Sequence, residues 1–346
     1  MDTLNQKIID AVIEKAEKLC PDSLDLIGIY GSVATGEEHE KSDLDLLILI
    51  SDEAGRKLGS GFILEDRKVG YDIYCTDWNG LRYDAECHHA NLSKLMDSQI
   101  VYIKNQNAYE ELCRLREQTK QFLASEERFK RVDDLLTQAK VAYANACLSD
   151  ELGRVRVEAL GVMHYLMNAI MLFHGTYFKR GVKRTLEELA LLPIDEVFIK
   201  TIQKIVGSKE VEELQSLLKR LLLYSEQHTR REVQKVKPSE ELAGTYEEMY
   251  SNWWNKVIEA AENDDSFASY VNLCNFQFML KGISENVEIG VYNVMDEYNP
   301  DSLTDNVRVF DKYLKKYEEV YQCAGLSVKR YSHIDEWIAD YFGCME

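Results

Sequence analysis

Two short runs govern what this chain can fold into: LDLIGIY (24–30) and DLDLLILI (43–50). Both are rich in β-formers, and the second is apolar almost throughout. A strand with one wet face alternates apolar and polar residues, whereas a strand without alternation is covered on both faces. The chain must therefore supply helices for two sides of a small sheet. Residues 4–19 read as one of them, with Leu4, Ile8, Val12 and Leu19 roughly on one face. Pro21 ends that helix. KVGYDIYC (68–75) and SQIVYIK (98–104) read as two more strands, with a helical stretch near 80–97 between them. The expected fold of this part is α+β, a small mixed sheet flanked by helices.

After about Tyr109 the pattern changes, and long helical periodicities follow one another with few breakers. Helices are expected near 107–121, 126–148, 152–174, 183–191, 196–207, 209–234, 239–262, 266–283 and 303–322. In the last, Val307, Phe310, Leu314 and Tyr317 fall on one face. Three of the four prolines, Pro193, Pro238 and Pro300, sit between helical stretches. The expected division is a domain over 1–118 and an all-helical domain over 119–346, with the active site between them.

The segment IYGSVATGEEHEKSDLDLLILI carries the chemistry. A strand delivers the chain to Gly31-Ser32, and ten residues later Ser42 precedes Asp43-Leu44-Asp45 at the start of the next strand. Gly31 lacks a side chain, so an anion can approach the backbone and φ can be positive. Ser32 offers a hydroxyl and an N–H to phosphate oxygens. Asp43 and Asp45 are two apart along a strand and project from one face. Two converging carboxylates repel unless a divalent cation lies between them, and such oxygen ligands suit Mg²⁺. Attack of a hydroxyl on the α-phosphate of a nucleoside triphosphate needs that neutralisation, and two ions about 3.5–4 Å apart can provide it. Asp72, flanked by Tyr71 and Ile73, is the expected third carboxylate, because an acid among apolar strand residues is costly unless paired or metal-bound.

These residues resemble the nucleotidyltransferase superfamily that includes DNA polymerase beta. A short α/β unit followed by helices is similar in character to the kanamycin and other aminoglycoside nucleotidyltransferases. The motif resemblance spans about Leu24 to Lys104. It implies Gly31 and Ser32 on the triphosphate, Asp43 and Asp45 on Mg²⁺, and Asp72 as third ligand or general base. Ser42 is placed with the nucleotide-binding group. One departure stands out: relatives often read G-S-x-A-R-G, and here Thr35 occupies the basic position. Phosphate charge must then be met by metal or from elsewhere. Lys179 and Lys183, in the run YFKRGVKR (177–184) with Arg180 and Arg184, are the expected clamp, against the plainer reading of a solvated turn.

The resemblance implies transfer of a nucleoside monophosphate, AMP from ATP first among donors, to a hydroxyl of a small molecule, an aminoglycoside-type antibiotic being the leading acceptor. A protein acceptor and a non-catalytic nucleotide-binding module are the alternatives. The net charge is −19; the first 120 residues carry 14 basic and 23 acidic side chains, and the remainder 27 and 37. Neither part hides a basic face, which argues against an extended nucleic-acid footprint and favours a cationic acceptor. No segment reads as a signal peptide or membrane span, so a cytoplasmic protein is expected. The eight cysteines include no C-x-x-C pair and read as reduced. A homodimer is admitted by the sequence and not required by it. Glu86 is a further candidate base beside His88 and His89, and Asn168 is either a ligand contact or the partner of a buried backbone group.

Overall fold

The computed structural model describes residues 3–39, 42–181, 184–231 and 236–343. The chain divides into two compact units, 1–230 and 231–346. In the first, α1 (Thr3–Leu19) leads to β1 (Leu24–Tyr30), the short α2 (Gly31–Thr35) and β2 (Asp45–Ile50). Then come β3 (Ser60–Leu64), β4 (Val69–Ile73), β5 (Cys75–Asp77), α3 (Trp78–Ala85), α4 (Ser93–Met96) and β6 (Gln99–Ile103). The main sheet runs β5-β2-β1-β6, and β3 and β4 form a separate hairpin. β1 is antiparallel to β2 and β6, and β2 is parallel to β5, so the sheet is mixed as expected.

The unbroken apolar run of β2 has the predicted consequence. Leu46, Ile48 and Ile50 pack with Ile8, Ile9, Val12 and Ala16 of α1. Leu47 and Leu49 pack on the opposite side with Leu81, Leu95, Leu112 and Leu115. Asp25 fastens that second layer. Its carboxylate, 3% exposed, accepts the Trp78 indole N–H at 3.0 Å and the Asn105 amide at 2.9 Å. Asn105 in turn caps α5 (Gln106–Ala124), accepting the N–H groups of Asn107 and Ala108.

The rest of this unit is helical: α6 (Arg128–Cys147), α7 (Leu152–Phe173), α8 (Thr185–Leu189), α9 (Glu196–Gly207) and α10 (Val211–His228). Its core gathers Val162, Leu166, Ile170, Phe198, Leu214 and Leu218. The second unit holds α11 (Pro238–Glu241), α12 (Thr245–Met249), a π-helical turn at Tyr250–Trp254, α13 (Asn255–Glu262), α14 (Ser266–Asn286), α15 (Leu303–Cys323) and α16 (Ile334–Gly343). It has its own core around Phe276, Phe310, Leu314 and Tyr317. Every helix or strand described after Ile103 is helical. No helix among the described residues is long and apolar enough to cross a membrane.

Three expectations change. The stretch 80–97 is not one helix: α3 stops at Ala85, Cys87 takes a positive φ of 53°, and Ala90 is held by a side chain from α7. The stretch 239–262 breaks at Gly244, whose φ is 79°. The strand expected over 68–75 is interrupted at Tyr74, so its two ends serve different partners.

Candidate active site

The site begins where β1 runs out. Tyr30 faces Asp45 across the β1–β2 ladder, and the chain turns at once into α2. Gly31 has a φ of 70°, the left-handed conformation that favours glycine. The space beside its Cα is taken: a Cβ there would lie 2.0 Å from Asp45 Oδ2 and 2.9 Å from its Cγ. Glycine is needed for an additional reason to the one read from sequence, because a carboxylate of the site itself rests against its backbone.

Asp45 opens β2 and is half-buried, whereas Asp43 lies just before the strand and is exposed. Burial, and then the charge of Asp43, push the Asp45 carboxyl up from 3.8 to about 6. Among the described residues neither carboxylate has a hydrogen-bond donor or a cationic partner. Two like charges meeting in a partly desolvated place without an internal counter-ion are a donor set for a hard divalent cation.

Asp72 sits on β4 and is exposed. β5 pairs with β2 as Ile48↔Cys75, Leu49↔Thr76 and Ile50↔Asp77. Asp72 itself pairs with Gly61 of β3, outside the β2–β5 ladder. β4 also touches β2. Asp72 and Asp43 line one open depression of about 580 Å³, with Gly61, Phe62, Gly70 and Tyr71. Asp72 and Asp43 thus share one depression, and Asp45 lies against the Gly31 turn. Among the described residues, though, no three acidic, imidazole or thiol side chains are gathered tightly enough to hold an ion. Asp43 and Asp45 are oxygen donors of the kind that take a hard divalent cation.

The Gly-Ser turn is braced internally. The Ser32 carbonyl accepts the Glu37 N–H at 2.9 Å and the Thr35 hydroxyl at 3.2 Å, so Thr35 serves its own turn. Ser42 pins the following loop: its hydroxyl accepts the His39 N–H at 3.0 Å, and its N–H donates to the His39 carbonyl at 2.8 Å. Lys183 lies outside the described residues. The Lys179 ammonium lies 5.6 Å from the Tyr177 ring centre. The member of that basic run that reaches the turn is Arg180, which pairs with Glu37. Sequence gave Arg180 no precedence over its neighbours, because its partner is 143 residues away.

Other candidates fall elsewhere. Glu86 bonds His88 at 2.9 Å, lies 3.8 Å from Arg131, and borders a different depression of about 440 Å³ beside Gln118, Gln121 and Phe122. His88 and His89 lie beyond the end of α3 with both rings near Tyr83, and His89 turns to Asp84, at 3.3 Å. Asn168 is structural: its oxygen accepts the Ala90 N–H at 2.6 Å and its amide donates to the His164 carbonyl at 2.7 Å. Two groups near the acids escaped the sequence reading. The Tyr30 and Tyr74 hydroxyls are 2.7 Å apart, and burial raises the Tyr30 phenol strongly. Asp84 is buried, with Lys94 3.2 Å from an Oδ2 that lacks a hydrogen bond. Its signal was its place three residues after Leu81, on the buried face of α3.

Residues 7–107 match the family model described as a nucleotidyltransferase domain. The α/β part of the chain is therefore a nucleotidyltransferase domain, and a largely helical region follows it. No curated protein matches the chain. Among solved structures, it is similar to a nucleotidyltransferase-like protein from Exiguobacterium sibiricum at a TM-score of 0.36 and 14% identity, over 72% of this chain and 80% of that one. A likeness of that size adds nothing to the match over residues 7–107.

Proposed function

We propose, starting from the nucleotidyltransferase domain of residues 7–107, that the protein transfers a nucleoside monophosphate, AMP from ATP, to a hydroxyl of a small cationic acceptor of the aminoglycoside type. The observation that carries this is Asp45, pressed against Gly31 and raised by burial and then by its neighbour Asp43. That pair puts negative charge beside a backbone turn open to phosphate, an arrangement useful once a divalent ion binds. Asp43 and Asp45 would hold Mg²⁺, which would supply charge neutralisation to the polyphosphate. Gly31 and Ser32 would bring backbone N–H groups to the phosphate oxygens. Asp72 would join the metal ligands or take the acceptor proton. The acceptor oxygen bonds the α-phosphorus, the bond to the bridging oxygen breaks, and pyrophosphate leaves. The net charge of −19 supports a cationic acceptor.

The test is to incubate pure protein with Mg²⁺, each nucleoside triphosphate and a panel of aminoglycosides, measuring pyrophosphate and adduct mass. Asp45→Asn should abolish both signals. No pyrophosphate and no adduct over the whole panel would overturn the acceptor class. Nucleotide retained without turnover would make this a binding module, and label appearing on protein from a lysate would make the acceptor a protein.

A further inference from the structure

The segment between α7 and α8 returns across the nucleotidyltransferase domain and is fastened to it. The Phe178 N–H donates to the Ala90 carbonyl at 2.7 Å, and the Tyr177 hydroxyl donates to Asp97 at 2.9 Å. Just beyond, the buried Glu188 carboxylate accepts two successive backbone N–H groups, Lys179 at 2.8 Å and Arg180 at 2.9 Å. With its backbone fixed, Arg180 lays a fork on Glu37: Nε donates to Oε2 at 2.9 Å, and a terminal N–H donates to Oε1. Glu187 lies 3.4 Å from the same guanidinium. Glu37 follows Gly36 and is bonded through its own N–H to the Ser32 carbonyl. One carboxylate thereby holds a cation from the helical region at the Gly31-Ser32 turn.

An ordinary exposed ion pair contributes little, partly because two long side chains must be ordered to make it. Here the Arg180 backbone is already ordered by Glu188. The guanidinium fork, moreover, fits a carboxylate and a phosphate equally well. Glu37 therefore occupies the donors that an incoming polyphosphate would use. The turn brings no cation of its own, since position 35 is threonine and its hydroxyl is spent on Ser32.

We propose that Arg180 is the polyphosphate-binding cation of this site, and that Glu37 is a built-in competitor that must release it before nucleotide is held. The proposal rests on the nucleoside-triphosphate reading above. Its ligand class is any linear polyphosphate, with or without a base attached.

The test measures binding of Mg-ATP and of inorganic tripolyphosphate by calorimetry to the full chain and to Arg180→Ala, Arg180→Lys, Glu37→Gln and the double variant Glu37→Gln/Arg180→Ala, with melting temperatures alongside. Arg180→Ala should weaken both ligands about tenfold, the loss of one charge-assisted fork, and Arg180→Lys should fall between. Glu37→Gln should tighten both about fivefold, and that gain should vanish when Arg180 is absent. A Glu37→Gln variant that melts normally yet binds no tighter overturns the competition. So does an equal gain in the Arg180→Ala background, which would reduce Glu37 to a diffuse negative charge. Wild-type protein that binds neither ligand overturns the triphosphate reading itself, and the Arg180 assignment with it.

Discussion

Replacing Gly31 by alanine separates damage to the site from damage to the fold. The new methyl would lie 2.0 Å from Asp45 Oδ2, where contacts below 3.0 Å essentially never occur, so the carboxylate must retreat by about 1 Å. A φ of 70° adds roughly 1–2 kcal/mol for any residue with a side chain. The carboxylate is half-buried and belongs to a flexible side-chain end, so the steric part stays modest, and the total is about 2 kcal/mol. In a unit of this size that lowers the melting temperature by about 4–8 °C. Activity suffers far more, because a 1 Å misplacement of a reacting group costs about 100-fold. Pyrophosphate release and thermal unfolding on the same preparation would show the disproportion. Removing the obstructing carboxylate, in Gly31→Ala/Asp45→Ala, should return part of the lost stability. Activity within threefold of wild type with an unchanged melting temperature would refute this account of Gly31.

Three further outcomes follow from the described contacts. The Asp45 carboxyl is raised from 3.8 to about 6, so the folded chain keeps a proton that the unfolded chain has released, and its stabilising contribution is lost as pH rises through 6. Asp45→Asn should therefore be inactive yet more stable than wild type at pH 8 in urea titrations, with the difference closing near pH 4. His174 and His228, whose Nε2 atoms are 2.9 Å apart, are both held below 6.5 by burial, with each other and Arg128 adding to it at His174. The unfolded chain then binds more protons as pH falls below 6.5 and stability drops with it, so His228→Gln should flatten the melting temperature between pH 7 and 5. Asn168→Ala strands the buried Ala90 N–H, a loss of about 1–3 kcal/mol in denaturant unfolding.

The strands that build the site were legible because burial on both faces leaves an unbroken apolar run, and Gly31, Asp43 and Asp45 stood at its ends. β3 was missed because Ser60–Leu64 is mostly exposed, and β5 because three residues carry no periodicity. The break in 80–97 depends on Asn168 gripping Ala90 from 78 residues away, a partner that local pattern does not contain. The break in 239–262 was available in Gly244, since an isolated glycine in a helical pattern is often a stop. Asp72 was read as an acid buried in a strand. It is instead on the open side of a hairpin, and the depression it shares with Asp43 is lined by a partner strand, β3, that local pattern did not show. Arg180 and Glu37 show the same limit, since each charge was visible and their meeting was not.

The change of partners at Tyr74 has a bearing on how such a chain can vary in length. Residues 69–73 answer to β3, residues 75–77 answer to β2, and the number of residues from Asp72 to Cys75 decides which way the acid points. Strand side chains alternate with a period of two, so one residue gained or lost there would turn Asp72 to the side of α1. The turn at 65–68 closes the hairpin from its far end and is under no such count. Lengthening is therefore tolerable at the tip of the hairpin and forbidden at its root.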